Sequence, residues 1–126
     1  MAIVGLGTDI VEIERIEQQL KNSVRLAQRV LTEQEFAVFQ EHKFPARFLA
    51  KRFAAKEAAV KALGIGIGNG VSFQHVEVSN LPSGQPMLTF YGRFAELCQQ
   101  QGVTKSFISI SDEQRYAVAS VVLESA

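Results

Sequence analysis

The chain has 126 residues, enough for one domain (1–126) to bury its own core without disulfides or metals as staples. Its 47% hydrophobic and 21% charged residues exclude wholesale disorder, and thirteen basic against thirteen acidic residues argue against a general nucleic-acid binder. The zero net charge hides an uneven distribution: −3 over residues 1–14, +5 over 15–61 and −2 over 62–126.

Residues 2–8 alternate Ala2, Val4 and Leu6 with Ile3, Gly5 and Gly7, which predicts a short strand with one small-residue face. Thr8 and Asp9 stand where an N-cap would, and Ile13, Ile16 and Leu20 follow at helical spacing. A first helix is therefore expected from about residue 10 to 21. A second covers about 24–30, packing Leu26 and Val30. Thr32-Glu33-Gln34-Glu35 reads as a capping box opening a third, with Phe36 and Phe39 on its buried side. Pro45 suits a first helical turn, and the pattern then runs unbroken from Arg47 to Leu63 until Gly64 closes it. After the glycine loop 64–70, strands at Phe73–Ser79 and Met87–Tyr91 flank the turn Asn80-Leu-Pro-Ser-Gly-Gln-Pro86. A helix through Phe94, Leu97 and Cys98 ends at Gly102. Strands Ser106–Ser111 and Tyr116–Leu123 then form a second hairpin.

Strand, helices, hairpin, helix, hairpin is the order of an α+β fold, a mostly antiparallel sheet packed against a long central helix, and not of a doubly wound sheet. The single cysteine, Cys98, excludes an intrachain disulfide framework. It sits in a helical apolar pattern as a small buried hydrophobe, and a reducing cytoplasm is expected. The first residues lack a basic start and a long apolar run, and no stretch approaches the roughly 20 apolar residues of a membrane helix, so neither a signal peptide nor a membrane location is expected.

Several familiar chemistries fail on spacing. Glycines 64, 66, 68 and 70 alternate, matching neither a dinucleotide fingerprint nor a Walker loop. His42 and His75 lack metal-ligand spacing, and no serine has a nucleophile-elbow context. Two acidic positions remain. Asp9 reads either as a helix N-terminal carboxylate or as a cation holder at a strand end, with Gly5 and Gly7 admitting another backbone or a ligand. Phe53, Glu57 and Lys61 share one helix stripe, flanked by Ala54, Ala55, Ala58 and Ala59. Glu57 and Lys61 form either an ordinary i,i+4 pair or, beside flexible glycines, part of a magnesium–diphosphate site. Mg²⁺ takes one or two carboxylates and completes its shell with phosphate oxygens and water.

Gly7-Thr-Asp9, followed about fifty residues on by Phe53-Ala-Ala-Lys-Glu-Ala-Ala-Val-Lys61, resembles the paired signature of 4′-phosphopantetheinyl transferases. The likeness is greatest to the short bacterial holo-acyl-carrier-protein synthases and extends over essentially the whole chain. It takes in Arg47-Phe-Leu-Ala-Lys-Arg-Phe53, Gly64-Ile-Gly-Ile67, Ser83-Gly-Gln-Pro86 and Ser109-Ile-Ser111. The resemblance implies transfer of the phosphopantetheine arm of coenzyme A to a serine of an acyl carrier protein, in fatty acid biosynthesis, with release of adenosine 3′,5′-bisphosphate. Carried over, Asp9 and Glu57 are the Mg²⁺ ligands and Lys61 neutralises phosphate charge. Glu57, directly or through a metal-bound water, is the favoured proton acceptor. Gly64, Ser83, Gly84 and Pro86 would hold the adenine nucleotide. The family is commonly a homotrimer with active sites between protomers, so Ser109 and Ser111 would face a neighbour's site. Many relatives carry histidine where this chain has Asp112; a carboxylate cannot act as a cationic phosphate ligand, and Asp112 is assigned no coenzyme contact.

The same resemblance gives the basic region a partner, an acidic acyl carrier protein docked by Arg15, Arg25 and Arg29 with Leu26 as an apolar contact. Lys21, Arg25 and Arg29, spaced by four, would form a positive stripe if their segment is one helix. A non-catalytic nucleotide- or carrier-protein-binding module on the same fold is the alternative, against which intact Asp9, Glu57 and Lys61 weigh. An RNA-binding reading lacks aromatic–basic interleaving.

Overall fold

The alternation that begins at Ala2 does not stop at Thr8. In the computed structural model, which describes residues 1–126, β1 runs from Ala2 to Glu12, and Asp9–Glu12 pair antiparallel with Ala119–Tyr116. The expected helix start at residue 10 and the N-cap role of Thr8 and Asp9 are therefore corrected. A strand partner more than a hundred residues away outweighs the local capping pattern. Helix α1 begins at Ile13, where the backbone N–H turns to the Arg115 carbonyl, and ends at Asn22.

α2 (Arg25–Val30) and α3 (Glu33–Glu41) follow. The capping box at α3 is formed: Thr32 Oγ1 accepts from the Glu35 N–H at 3.3 Å while the Thr32 N–H donates to Glu35 Oε1 at 2.9 Å. Phe39 is buried on this helix and Phe36 half-buried. Ser23 is extended between α1 and α2, so Lys21 lies on a different helix from Arg25 and Arg29 and the three-residue basic stripe is broken. α4 (Pro45–Ala62) is the long central helix.

Beyond the glycine loop, Phe73–His75 form a 3-10 turn where a strand was expected. Ser72 Oγ accepts from the Gln74 N–H, and His75 Nδ1 accepts from the Ser72 N–H. Strand β2 is Val76–Asn80 and pairs with β3 (Pro86–Phe90). α5 (Gly92–Gln100) leads to β4 (Val103–Asp112) and β5 (Tyr116–Ser125). The strands form two antiparallel sheets, β1-β5-β4 and β2-β3, and the architecture is α+β.

α4 crosses the face of the larger sheet that carries Gly5, Gly7 and Val11 of β1 and Ala117, Ala119, Val121 and Leu123 of β5. The β5 residues are fully buried. On the helix side Ala54, Ala55, Ala58 and Ala59 are fully buried as well. Small residues on both surfaces let helix and strand meet backbone to backbone. A Cβ at Gly5 would overlap the Ala62 carbonyl oxygen, and one at Gly7 the Ala58 carbonyl oxygen. Around this contact a continuous core draws on every helix and both sheets. Cys98 lies within it, its thiol pushed up to about 11 by burial, an inert position.

Gly7→Ala should lower stability by about 1–3 kcal/mol, the usual range for overpacking against an unyielding neighbour. Gly66→Ala, with no atom within 4 Å of the added methyl, serves as the control and should stay within about 0.5 kcal/mol of the wild type. Urea unfolding of both measures the difference.

Candidate active site

Asp9 lies two residues beyond Gly7 on the same strand face, and Glu57 immediately precedes Ala58, whose carbonyl packs on Gly7. The close approach of α4 to β1 thus brings Asp9, Glu57 and Lys61 together. Lys61 Nζ lies 2.9 Å from Asp9 Oδ1 and donates to the Thr8 carbonyl at 3.3 Å. The ordinary i,i+4 salt bridge from Glu57 to Lys61 does not form, because the strand supplies Lys61 with a carboxylate across the helix–sheet contact. Asp9 is correspondingly not a helix-capping residue but a strand residue beside a second carboxylate.

The electrostatics of the trio are incomplete. Burial first, and then the charge of Asp9, raise the Glu57 carboxyl above its ordinary value, opposed by Lys61 and Arg29. Lys61 is raised in turn, chiefly by its hydrogen bond to Asp9. One ammonium serves two carboxylates. No group of three or more His, Cys, Asp or Glu side chains is placed to hold a metal; the two expected ligands, Asp9 and Glu57, stand together without a third.

A cleft of about 770 Å³ opens beside Asp9, lined by Arg15, Leu26, Arg29 and Phe53 among others. Three of the four residues expected to dock a carrier protein therefore share one cleft with an expected metal ligand. Arg25 is exposed on α2, one turn before Arg29 and outside that lining. Phe53, on the stripe of Glu57 and Lys61, stacks at 5.4 Å on Phe73, whose ring also carries the Arg29 guanidinium.

The expected nucleotide contacts divide into three places. Gly64 follows α4 with φ 75, three residues from Lys61. Gly84 and Pro86 border a separate groove of about 340 Å³ with Arg47, Lys51, Arg52 and His42; Ser83 lies in the same turn. Ser109 and Ser111 are exposed on β4, where Ser109 is opposite Ser120, itself opposite Thr8. They lie on the sheet face turned away from α4, so one chain does not bring them to Asp9 and Glu57.

Asp112, left without a coenzyme role, has another occupation. Its carboxylate accepts from Arg47 Nη1 at 2.8 Å and lies 3.4 Å from Lys51 Nζ. Arg47 also donates to the Glu113 and Gln114 carbonyls. The Arg47 hydrogen bond, foremost, holds Asp112 below the usual carboxylate range. This clasp between α4 and the β4–β5 turn was not foreseen.

The profile of the 4′-phosphopantetheinyl transferase superfamily matches residues 5–121, and the chain belongs to this family. Within it the chain is 74% identical to a holo-acyl-carrier-protein synthase of Pseudoalteromonas atlantica over 99% of both proteins. The crystal structure of the Neisseria meningitidis holo-acyl-carrier-protein synthase superposes with a TM-score of 0.90 at 38% identity, covering 97% of this chain and 98% of that one. The Bacillus anthracis holo-acyl-carrier-protein synthase, in complex with CoA (3′,5′-ADP), superposes with a TM-score of 0.83 at 41% identity over the whole of both chains.

Because Glu57 holds its proton more tightly in the folded than in the unfolded chain, its ionisation costs stability as pH rises above the ordinary carboxylate value. Glu57→Gln, which stays neutral, should melt with the wild type near about pH 4 and above it near about pH 8 in metal-free buffer. A scan of melting temperature against pH checks this; a variant that melts lower than the wild type at the higher pH contradicts it.

Proposed function

We propose that this protein is an enzyme that transfers the 4′-phosphopantetheine moiety of coenzyme A to a serine hydroxyl of an apo acyl carrier protein, with release of adenosine 3′,5′-bisphosphate. The convergence of Asp9, Glu57 and Lys61 over the glycine contact carries this reading, and the full-length likeness to holo-acyl-carrier-protein synthases supports it. The serine oxygen forms the new bond to phosphorus, and the bond to the bridging pyrophosphate oxygen breaks, its electron pair leaving with the adenosine bisphosphate.

Two adjacent carboxylates with one shared ammonium suit Mg²⁺, which asks for one or two carboxylates and takes its other ligands from phosphate and water. Held by Asp9 and Glu57, Mg²⁺ would supply polarisation of the pyrophosphate. The chain's own residues do the rest. Lys61, its side chain half exposed, exchanges Asp9 for phosphate oxygens and neutralises the charge that grows on the leaving group. Glu57, raised by burial, is placed to take the serine proton directly or through water. Gly64, Ser83, Gly84 and Pro86 hold the nucleotide. Arg15, Arg25 and Arg29, with Leu26 between them, meet an acidic carrier surface, and opposite charges there accelerate encounter more than they tighten the complex.

We further propose that the protein is a homotrimer in a reducing cytoplasm, its active sites completed between protomers. Leu6, Ile10 and Phe107 are more than half exposed on the sheet face opposite α4, the face that also presents Ser109 and Ser111. An exposed apolar patch of this kind favours association. No helix is long and apolar enough to cross a membrane.

Incubation with coenzyme A, Mg²⁺ and an apo acyl carrier protein should raise the carrier's mass by one phosphopantetheine group, and an unchanged mass refutes the enzyme. In that assay Arg15→Glu should raise the KM for the carrier about tenfold at low salt and leave that for coenzyme A within about twofold, the gap narrowing as salt screens the encounter. Light scattering should return three times the chain mass; a monomer would leave Ser109 and Ser111 without a site to face.

A further inference from the structure

Two charged residues lie inside the core, and neither belongs to the Asp9–Glu57–Lys61 trio. Lys56 has no exposed surface and is among the largest of the fully buried side chains; Glu35 is 3% exposed. Lys56 Nζ donates to Glu35 Oε1 at 2.5 Å and to the Val30 carbonyl at 2.6 Å. Glu35 Oε1 also closes the capping box with Thr32, while Oε2 accepts from the Val78 N–H at 2.8 Å. A single carboxylate therefore ties α4 to the outer edge of β2. Glu77, beside Val78, accepts from Thr32 Oγ1 at 2.6 Å and so fastens the same strand to the same helix cap. Arg52, one turn before Lys56, lies 3.8 Å from Glu35 Oε2 with its guanidinium over the Phe48 ring. Two acids and two bases leave the cluster neutral.

Replacing a buried ion pair by apolar residues of similar volume is often neutral or stabilising, so stability alone does not account for this one. Its particular contribution is directional. Lys56 precedes Glu57, and successive helical residues point about 100° apart, so anchoring Lys56 on one flank of α4 fixes where Glu57 points on the other. The β2–β3 hairpin, held through Val78, carries the turn with Ser83, Gly84 and Pro86.

We propose that Glu35 and Lys56 are positioning residues that set the spacing between the two halves of the coenzyme A site, the Asp9–Glu57–Lys61 trio on one side and the hairpin turn on the other. This rests on the functional reading above. Loss of the tether leaves each half intact but lets the hairpin drift relative to α4, so binding of the ligand that spans both halves suffers more than carrier docking on α1 and α2, which meets the cluster only through the Val30 carbonyl.

Glu35→Gln, Lys56→Met and the double variant E35Q/K56M form the test. Each single variant leaves a buried partner unpaired and should melt well below the wild type; the double removes both charges and should recover most of that loss. In the double variant the KM for coenzyme A should nevertheless stay about tenfold above wild type, with the KM for the carrier within about twofold. Return of the coenzyme A KM to the wild-type value together with stability would reduce the pair to a structural role and overturn the proposal, as would an equal rise in both constants. Two controls separate this from the parent reading. Carrier modification by the wild type tests that reading alone. Hydrogen exchange at Val78 needs no substrate: it should quicken in the double variant while β1 and β5 keep their protection, and an unchanged Val78 rate overturns the tether.

Discussion

The backbone contact between α4 and β1 is the constraint on which the rest of the structure depends. Helices normally rest on sheets through side chains; here Gly5 and Gly7 remove the strand's side chains where the Ala62 and Ala58 carbonyls come down. Fully buried alanines extend the contact on either side, so the helix is held close along several turns. A larger residue at either position would press α4 away from β1 and, with it, Glu57 from Asp9. Their shared electrostatics follow from packing and from no capping or metal-binding motif in the local sequence.

The contact also explains the division of labour along α4. The face turned to β1 presents Glu57 and Lys61 to Asp9. The opposite flank presents Arg52 and Lys56 to Glu35, and the N-terminal turns present Arg47 and Lys51 to Asp112. One helix thus meets three carboxylates from three parts of the chain. Half of the ten basic residues of 15–61 meet carboxylates of the same chain along this helix, and Arg15, Lys21, Arg25, Arg29 and Lys43 stand outside these pairs.

Much of this was legible in the sequence, and the failures have physical causes. The capping box at Thr32, the length of α4 and the two hairpins rest on local chemistry and were read closely. The start of α1 was not, because Asp9–Glu12 are extended only by virtue of their pairing with β5. The Asp9–Glu57–Lys61 trio was legible as two motifs, but the ion pair between Lys61 and Asp9 depends on how a helix lies on a strand. Lys56 left a signal that went unread: it shares a stripe with Leu49, Val60 and Leu63, all buried, and a lysine there must find an acid inside. Asp112 left none, since its partners Arg47 and Lys51 come to it only through the sheet's crossing of α4.

The position of β1 has a consequence for how the molecule assembles. It is an edge strand whose sole sheet neighbour is β5, with Asp9 opposite Ala119. Such a pairing closes a very long loop, and the entropy of that closure must be met before any contact rewards it. The helices and the β2–β3 hairpin can form from nearby sequence, whereas the strand that carries Asp9 waits for a partner at the far side of the chain. The Asp9–Glu57–Lys61 trio therefore depends on that closure, and a chain whose β1 has not paired would carry both of its motifs without the site they make together.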